Sequence, residues 1–452
     1  MKKIKVGVLG AYRGTGMINY CKIADNAELV AICDKWEPAL NKQRELCGDQ
    51  IAYYTSFDEF IKHDMDAVVL ANYANEHVPF ALRCLEAGKH VFSEVLPCQT
   101  MKEAVELVEA VEKSGLVYAY AENYCYMPAP AEMKKLYQAG KIGEIEYAEC
   151  EYIHNCEPIW HSITYGDPTH WRNNMHANFY CTHSIGPILH ITGLRPVKVT
   201  GFESKLTTRK LRVGAKNGLF GIEMLELENG AIVKSIHGDL YENSVWYSMY
   251  GSKGRMESAR EDAAHREHIH TLYVRADEYS GEYANIKKPS DCYKPKQFAD
   301  EKIGKIFGHG GSDFYSMYHF IEKIKGNPEA DTIDVYEALD MGIAGMFAYR
   351  SVLNGGIPME IPNLRLQADR DKYRNDTTCT DPKVAGDMLI PTFSQGTPEI
   401  PAEVYERMKK KHLEEFESNT GYVNSAFMQS SKEKAEARAK EEGNGADSHI
   451  DM

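Results

Sequence analysis

The chain has 452 residues, enough for two domains with appendages, and 43% of them are apolar, enough to fill the cores. A net charge of -14 excludes binding built on a phosphate backbone, which needs a basic surface. No apolar run approaches the ~18 residues of a membrane span. Met1-Lys2-Lys3 passes straight into a strand pattern with no cleavable apolar region, and eleven cysteines are scattered through the chain. Both features predict a cytoplasmic protein with reduced thiols.

Over residues 1–125, short apolar runs at Val6–Leu9, Leu29–Cys33, Ala67–Ala71, His90–Phe92 and Leu116–Ala119 read as strands. Helical patterns such as Pro79–Ala87 and Thr100–Lys113 separate them. Strand and helix alternating at this spacing predict right-handed crossovers and a doubly wound parallel sheet, a Rossmann domain. Between the first strand and the first helix lies Gly7-Val8-Leu9-Gly10-Ala11-Tyr12-Arg13-Gly14-Thr15-Gly16. Glycine there lets backbone N–H groups approach a pyrophosphate at a helix N-terminus. Tyr12 stands where the dinucleotide fingerprint has its second glycine, which shifts the expected pyrophosphate path toward Arg13, Gly14 and Thr15. Asp34 closes the second strand 24 positions after Gly10, where a carboxylate accepts hydrogen bonds from a ribose 2′-hydroxyl and repels a 2′-phosphate. NAD is therefore the expected cofactor. Glu94 is delivered at the tip of a further strand, and Val95-Leu96 follows it.

After Tyr126 the pattern changes. Residues 126–362 predict an α+β domain: a helix to Ala139, a strand over Glu144–Ile153, then strands at Lys198–Phe202, Ile222–Leu227, Ala231–His237 and Trp246–Tyr250. Turn residues at Leu227–Ala231 and Tyr250–Gly254 make that sheet mostly antiparallel, an open face suited to burial against a second copy, hence a homo-oligomer. Asp334–Val352 reads as a long helix. Residues 363–452 form a polar extension, with Ser430–Met452 as a frayed tail.

Residues 154–190 hold six histidines and two cysteines, in no compact zinc spacing, so no metal is expected. His183 is the candidate base on a substrate hydroxyl, at a helix start with an exposed ring. Tyr180, three positions earlier, would share its face only in a helix. Tyr126 is a further candidate proton carrier.

Asn72-Tyr73-Ala74-Asn75-Glu76-His77, Gly88–Glu94, Glu122-Asn123 and Gly140–Ile145 together resemble the glucose–fructose oxidoreductase and inositol dehydrogenase family over about Lys3–Pro362. The resemblance implies an N-terminal Rossmann domain, a C-terminal open-faced sheet and a nicotinamide cofactor, with Asn72, His77, Glu94 and Asn123 lining the nicotinamide side. Most of that family has lysine after the strand-tip glutamate; here Val95 stands there. The finer resemblance is to the NAD-dependent glycosidases of family 109. It rests on Glu94-Val95-Leu96-Pro97, Asn123-Tyr124-Cys125-Tyr126, Trp171-Arg172, Tyr180-Cys181-Thr182-His183 and His309-Gly310-Gly311-Ser312-Asp313.

Those enzymes oxidise a sugar at C3, eliminate the glycosidic bond, add water and re-reduce the sugar. In that scheme Trp160 and Trp171 stack on a sugar face, and Arg172, His309 and Asp313 contact the substrate. The expected partner is a small sugar or glycoside, with neither nucleic acid nor membrane. The alternatives are a plain sugar or inositol dehydrogenase and a non-catalytic sugar- or nucleotide-binding regulator.

Overall fold

The computed structural model describes residues 2–260, 269–273, 290–295, 307 and 311–418. The N-terminal sheet has six strands: β1 (Ile4–Leu9), β2 (Ala27–Cys33), β3 (Ala52–Tyr54), β4 (Ala67–Leu70), β5 (His90–Ser93) and β6 (Tyr118–Tyr120). They are all parallel, in the order β3-β2-β1-β4-β5-β6. Helices α1 (Thr15–Ile23), α2 (Glu37–Cys47), α3 (His77–Glu86) and α4 (Met101–Ser114) make the crossovers. The strand order reverses between β1 and β4, and the crevice at such a point is where open α/β sheets bind ligands. Val6, Val8, Val68 and Val69 are wholly buried, as strands covered on both faces require. Sequence reasoning missed β3, whose three residues are half-buried and carry little periodic signal.

After helix α5 (Pro128–Gln138) the second sheet has nine strands among the described residues. These are β7 (Ile145–Ile153), β8 (Pro196–Glu203), β9 (Phe220–Leu227), β10 (Ile232–Gly238), β11 (Ser244–Gly251), β12 (Gly254–Ser258), β13 (Ile269–Tyr273), β14 (Ser290–Tyr293) and β15 (Met359–Glu360). Their order is β14-β13-β12-β11-β7-β10-β9-β8-β15; β7 and β10 run parallel, and the other described pairs are antiparallel. Both expected hairpin turns, at Leu227–Ala231 and after Tyr250, are present. Helix α6 (Thr182–Thr192) packs on this sheet. Helix α7 (Ser312–Ile324), absent from the sequence expectation, returns to the Rossmann domain against α1. Helix α8 (Val335–Leu353) is the expected long helix, with Asp334 as its cap accepting from the N–H groups of Tyr336 and Glu337.

The polar stretch beyond residue 362 is not a loose appendage as far as Ser418. Arg370 forms a two-pronged pair with Glu112 (2.6 and 2.6 Å), and Arg374 another with Glu109 (2.8 and 2.7 Å), both on α4. The chain then ends its described part in helix α9 (Ala402–Glu417), where Tyr405 donates to the Gly214 carbonyl at 3.0 Å. The expected tail over 430–452 lies outside the described residues.

Candidate active site

One cavity of about 790 Å³ runs between the tips of the parallel strands and the segment leading into α6. Its size suits a cofactor and a small substrate together.

The cofactor wall is set by backbone. Gly10 has φ +103°, and a Cβ there would lie 2.3 Å from the Ala71 carbonyl oxygen, so only glycine fits between β1 and β4. Helix α1 begins at Gly14–Thr15 with no acidic residue in its first turn and no side-chain cap, which leaves its positive end facing the cavity for a diphosphate. Asp34 lines the cavity after β2 and accepts from the N–H groups of Ala11 and Trp36, both at 2.8 Å. Burial raises its pKa, and those two bonds oppose the rise. Its position at the strand tip matches the ribose role. The residues present therefore fit NAD.

Three strand-tip side chains continue this wall: Asn72 after β4, Glu94 after β5 and Asn123 after β6; Glu122, next to Asn123, is buried behind the cavity surface. Glu94 is buried and paired with Arg13 at 2.7 Å; burial raises its pKa, against the pull of Arg13. Asn123 donates to Asp313 on α7 at 2.8 Å, which ties Asp313 into the wall. Val95, buried, lines the cavity where the family lysine would stand.

The opposite wall holds a continuous polar chain. Glu122 accepts from His183 Nδ1 at 2.6 Å, which leaves Nε2 as the acceptor for the Tyr180 hydroxyl at 3.2 Å. Arg172 donates to that same hydroxyl at 3.4 Å and stacks over the rings of Trp171 and Tyr180, 4.4 and 4.8 Å from their centres. Burial raises the Tyr180 pKa, and Arg172 opposes it. Tyr124 and Tyr152 flank the imidazole with ring centres at 4.4 and 4.8 Å, and Tyr247 donates to the His183 carbonyl at 2.6 Å. Glu122 approaches so closely because Gly186, one turn along α6, has no side chain: a Cβ there would stand 3.0 Å from Glu122 Cγ.

Several expectations need correction. The His183 ring is buried rather than exposed, although it lines the cavity. Tyr180 meets it without sharing a helix, because α6 starts only at Thr182 and the preceding turn swings the phenol over the imidazole. Tyr126 is not on the cavity: its hydroxyl donates to the Asp331 carbonyl at 2.8 Å, and its ring stacks on His319. His77 also lies behind the wall, its Nδ1 2.9 Å from the Leu96 carbonyl oxygen, with burial lowering its pKa to about 4. Trp160 is buried in the wall with its indole N–H donating to Asn173 at 2.8 Å, whereas Trp171 flanks Arg172. His309 lies outside the described residues.

The sequence signal for Glu122 existed, since it follows a strand tip just as Glu94 does, but it was not given a role. Nothing in the sequence pointed to Lys210, Asn217, His237 and Asp239, which also line the cavity, or to Lys409, His412 and Leu413 of α9. Helix α9 covers the cavity beside Asp34. Phe416 packs on Trp36 with ring centres 4.7 Å apart, His412 lies 5.6 Å from Trp36 and 5.0 Å from Tyr165, and Glu415 meets His161 at 2.8 Å.

Of the other histidines between 154 and 190, His170 and His154 line the cavity, while His176 stacks on Tyr349. His190 is held between Glu337 (2.6 Å) and Asp331 (3.4 Å).

A Rossmann cofactor wall facing a carboxylate–imidazole–phenol chain on an open-faced sheet defines an NAD-dependent oxidoreductase, and residues 4–122 match the oxidoreductase family with an NAD-binding Rossmann fold. Beside that N-terminal match, residues 241–368 match the C-terminal domain of glycosyl hydrolase 109. A glycosyl hydrolase family 109 protein of Solibacter usitatus is 26% identical over 401 residues, covering 80% of this chain and 88% of its own length. One from Bacteroides thetaiotaomicron is 22% identical over 413 residues, covering 80% and 85%. Among solved structures, levoglucosan dehydrogenase in complex with NADH and levoglucosan superposes with a TM-score of 0.63 at 15% identity, covering 80% of this chain and all of its own. An oxidoreductase from Agrobacterium radiobacter, in complex with NAD⁺, L-tartaric acid and magnesium, gives 0.63 at 14%, covering 80% and 99%. At these identities the two structures speak to the fold alone.

Proposed function

We propose that this protein cleaves a small glycoside without net redox change, oxidising the sugar at C3 and later reducing it again. The observation that carries this is the Glu122–His183–Tyr180–Arg172 chain facing the cofactor wall, with Val95 where a dehydrogenase of the family would keep its lysine. NAD, when bound, supplies the acceptance of a hydride from the sugar and its return.

The protein's own groups move the protons. As the C3 hydroxyl loses its proton to the Tyr180 oxygen, the phenol proton passes to His183 Nε2. The resulting imidazolium is stabilised by the buried Glu122 carboxylate at 2.6 Å. Arg172 stabilises negative charge on the Tyr180 oxygen while that transfer is under way. A C3 ketone acidifies the hydrogen at C2, and Glu94 on the opposite wall is the second acid–base group available to take it. Elimination then expels the aglycone, which leaves with one proton; water adds its hydroxyl at C1 and a proton at C2, and the relay runs backward to restore the hydroxyl at C3. This scheme needs no pair of carboxylates about the glycosidic oxygen, unlike ordinary glycoside hydrolysis. The helix α9 that covers the cavity beside Asp34 suits a cofactor recycled in place rather than exchanged each turnover.

The test is a panel of nitrophenyl glycosides followed at once for phenol release and for absorbance at 340 nm. Phenol without NADH is expected. NADH formed in step with product would instead make the protein a plain sugar dehydrogenase. Unaltered behaviour of a His183→Ala variant in both channels would leave it a binding protein.

A further inference from the structure

Beyond the relay, the cavity ends in a second polar group of residues that the hydride and proton chemistry does not use. Lys210 is buried, with its ammonium 4.8 Å above the centre of the Trp160 ring and 3.5 Å from Asp239 Oδ2. Asp239 is already engaged by Arg209 at 3.0 Å and by the Cys156 N–H at 3.0 Å. Asn217 is 3% exposed and His237 2%, and both line the same cavity. Among the described residues Asn217 Oδ1 has no hydrogen-bond partner, and His237 Nδ1 stands 3.4 Å from the buried Glu223 carboxylate while its Nε2 has no partner. Buried polar atoms left in that state are costly unless a ligand or ordered water completes them.

The placement of the charges points the same way. At this end Lys210 pairs with Asp239 and the Glu223 carboxylate stands behind His237, whereas Arg172 lines the cavity itself. Among the described residues Arg172 has no carboxylate within salt-bridge distance, although it faces the cavity; its partners there are the Tyr180 hydroxyl and two aromatic rings. An uncompensated cation in a water-poor wall is expensive unless an anion joins it. A planar carboxylate matches the flat guanidinium of Arg172, which takes it in two parallel hydrogen bonds.

We infer that Lys210, Asn217 and His237, with Arg172, form a subsite for a carboxylate-bearing sugar, so that the substrate is a glycoside of uronic-acid type rather than a neutral one. This rests on the glycoside-cleaving function proposed above and narrows its substrate class.

The probe is calorimetric binding to the protein as purified, with its cofactor. D-Glucuronate and D-galacturonate are compared with D-glucose and D-galactose and with the two sugar 6-phosphates. At least one uronate is expected to bind ten-fold or more tighter than its parent sugar, and tighter than its 6-phosphate. Lys210→Met and Asn217→Leu are each expected to remove most of that advantage while changing binding of the neutral sugar less than three-fold. If Lys210→Met does not fold, Asn217→Leu decides alone.

Equal or undetectable binding of uronate and parent sugar overturns the inference, as does an advantage that survives in the folded variants. Preference for the 6-phosphates overturns the assignment to a carboxylate. Because nothing turns over in this measurement, its failure is separate from failure of glycoside cleavage, which phenol release from neutral glycosides reports independently.

Discussion

The two walls of the cavity are built by different physics. The Rossmann wall is a matter of backbone: Gly10 at φ +103° pressed against Ala71, a helix start, and carboxylates at the tips of adjacent parallel strands. The facing wall is a matter of side chains gathered from distant positions, in which Glu122 from the first domain orients His183 from the second, Tyr180 arrives from a turn, and Arg172 and Lys210 arrive from one-turn helices. Damage to the backbone of the first wall should therefore cost cofactor. Damage to the second should cost turnover while the cofactor stays.

The largest effect is expected at Gly10. Gly10→Ala drives a Cβ into the Ala71 carbonyl oxygen and forces an unfavourable backbone, so the purified variant should carry no NAD, read from its absorbance ratio and by mass spectrometry of released nucleotide. His183→Ala should keep its NAD and lose on the order of 10³–10⁴ in kcat, the scale of general-base removal. Glu122→Gln should lose on the order of 10² while the cofactor remains, since the amide no longer stabilises the imidazolium. Loss of NAD from either of these two variants would break the division between the walls. Glu94→Gln sharpens it. Transient NADH should still form on mixing with substrate, without phenol release, because the C3 oxidation survives and the C2 proton has no acceptor.

The smallest effect is a pH response of α9. Burial lowers the His412 pKa to about 4, with His161 adding to the shift and Glu415 opposing it. A group with a depressed folded-state pKa contributes stability that is complete above its ordinary value near 6.5 and is lost as pH falls toward about 4. Cofactor release measured by rapid filtration should therefore quicken from pH 6.5 downward, and His412→Phe should flatten that dependence. The cations facing this helix are Lys42, over the Phe416 ring, and Lys409, on α9 itself.

What could be read from sequence divides along the same line. The parallel sheet, the glycine turn, Asp34 and Glu94 follow from local patterns, because strand tips and tight turns impose their residues nearby in sequence. His183 and Tyr180 came from a short motif, but the turn that joins them did not, since a residue before a helix start has no fixed face. Tyr126 was misplaced because a strand-tip segment offers side chains to both sides, and the Asp331 carbonyl took its hydroxyl. Lys210 sits in Thr207-Thr208-Arg209-Lys210-Leu211-Arg212, which looks like a solvated surface; only the tertiary fold folds its ammonium over Trp160. The segment of helix α9 reads only as part of a polar extension, yet its Phe416 and His412 close on Trp36.

The most direct test of the redox-neutral route is turnover of a cleaved glycoside in D₂O, with the released sugar examined by NMR. Elimination across C1–C2 requires one solvent-derived deuterium at C2 in the product, with hydrogen retained at C3 and no NADH accumulating. A product that carries hydrogen at C2 after full cleavage would contradict it.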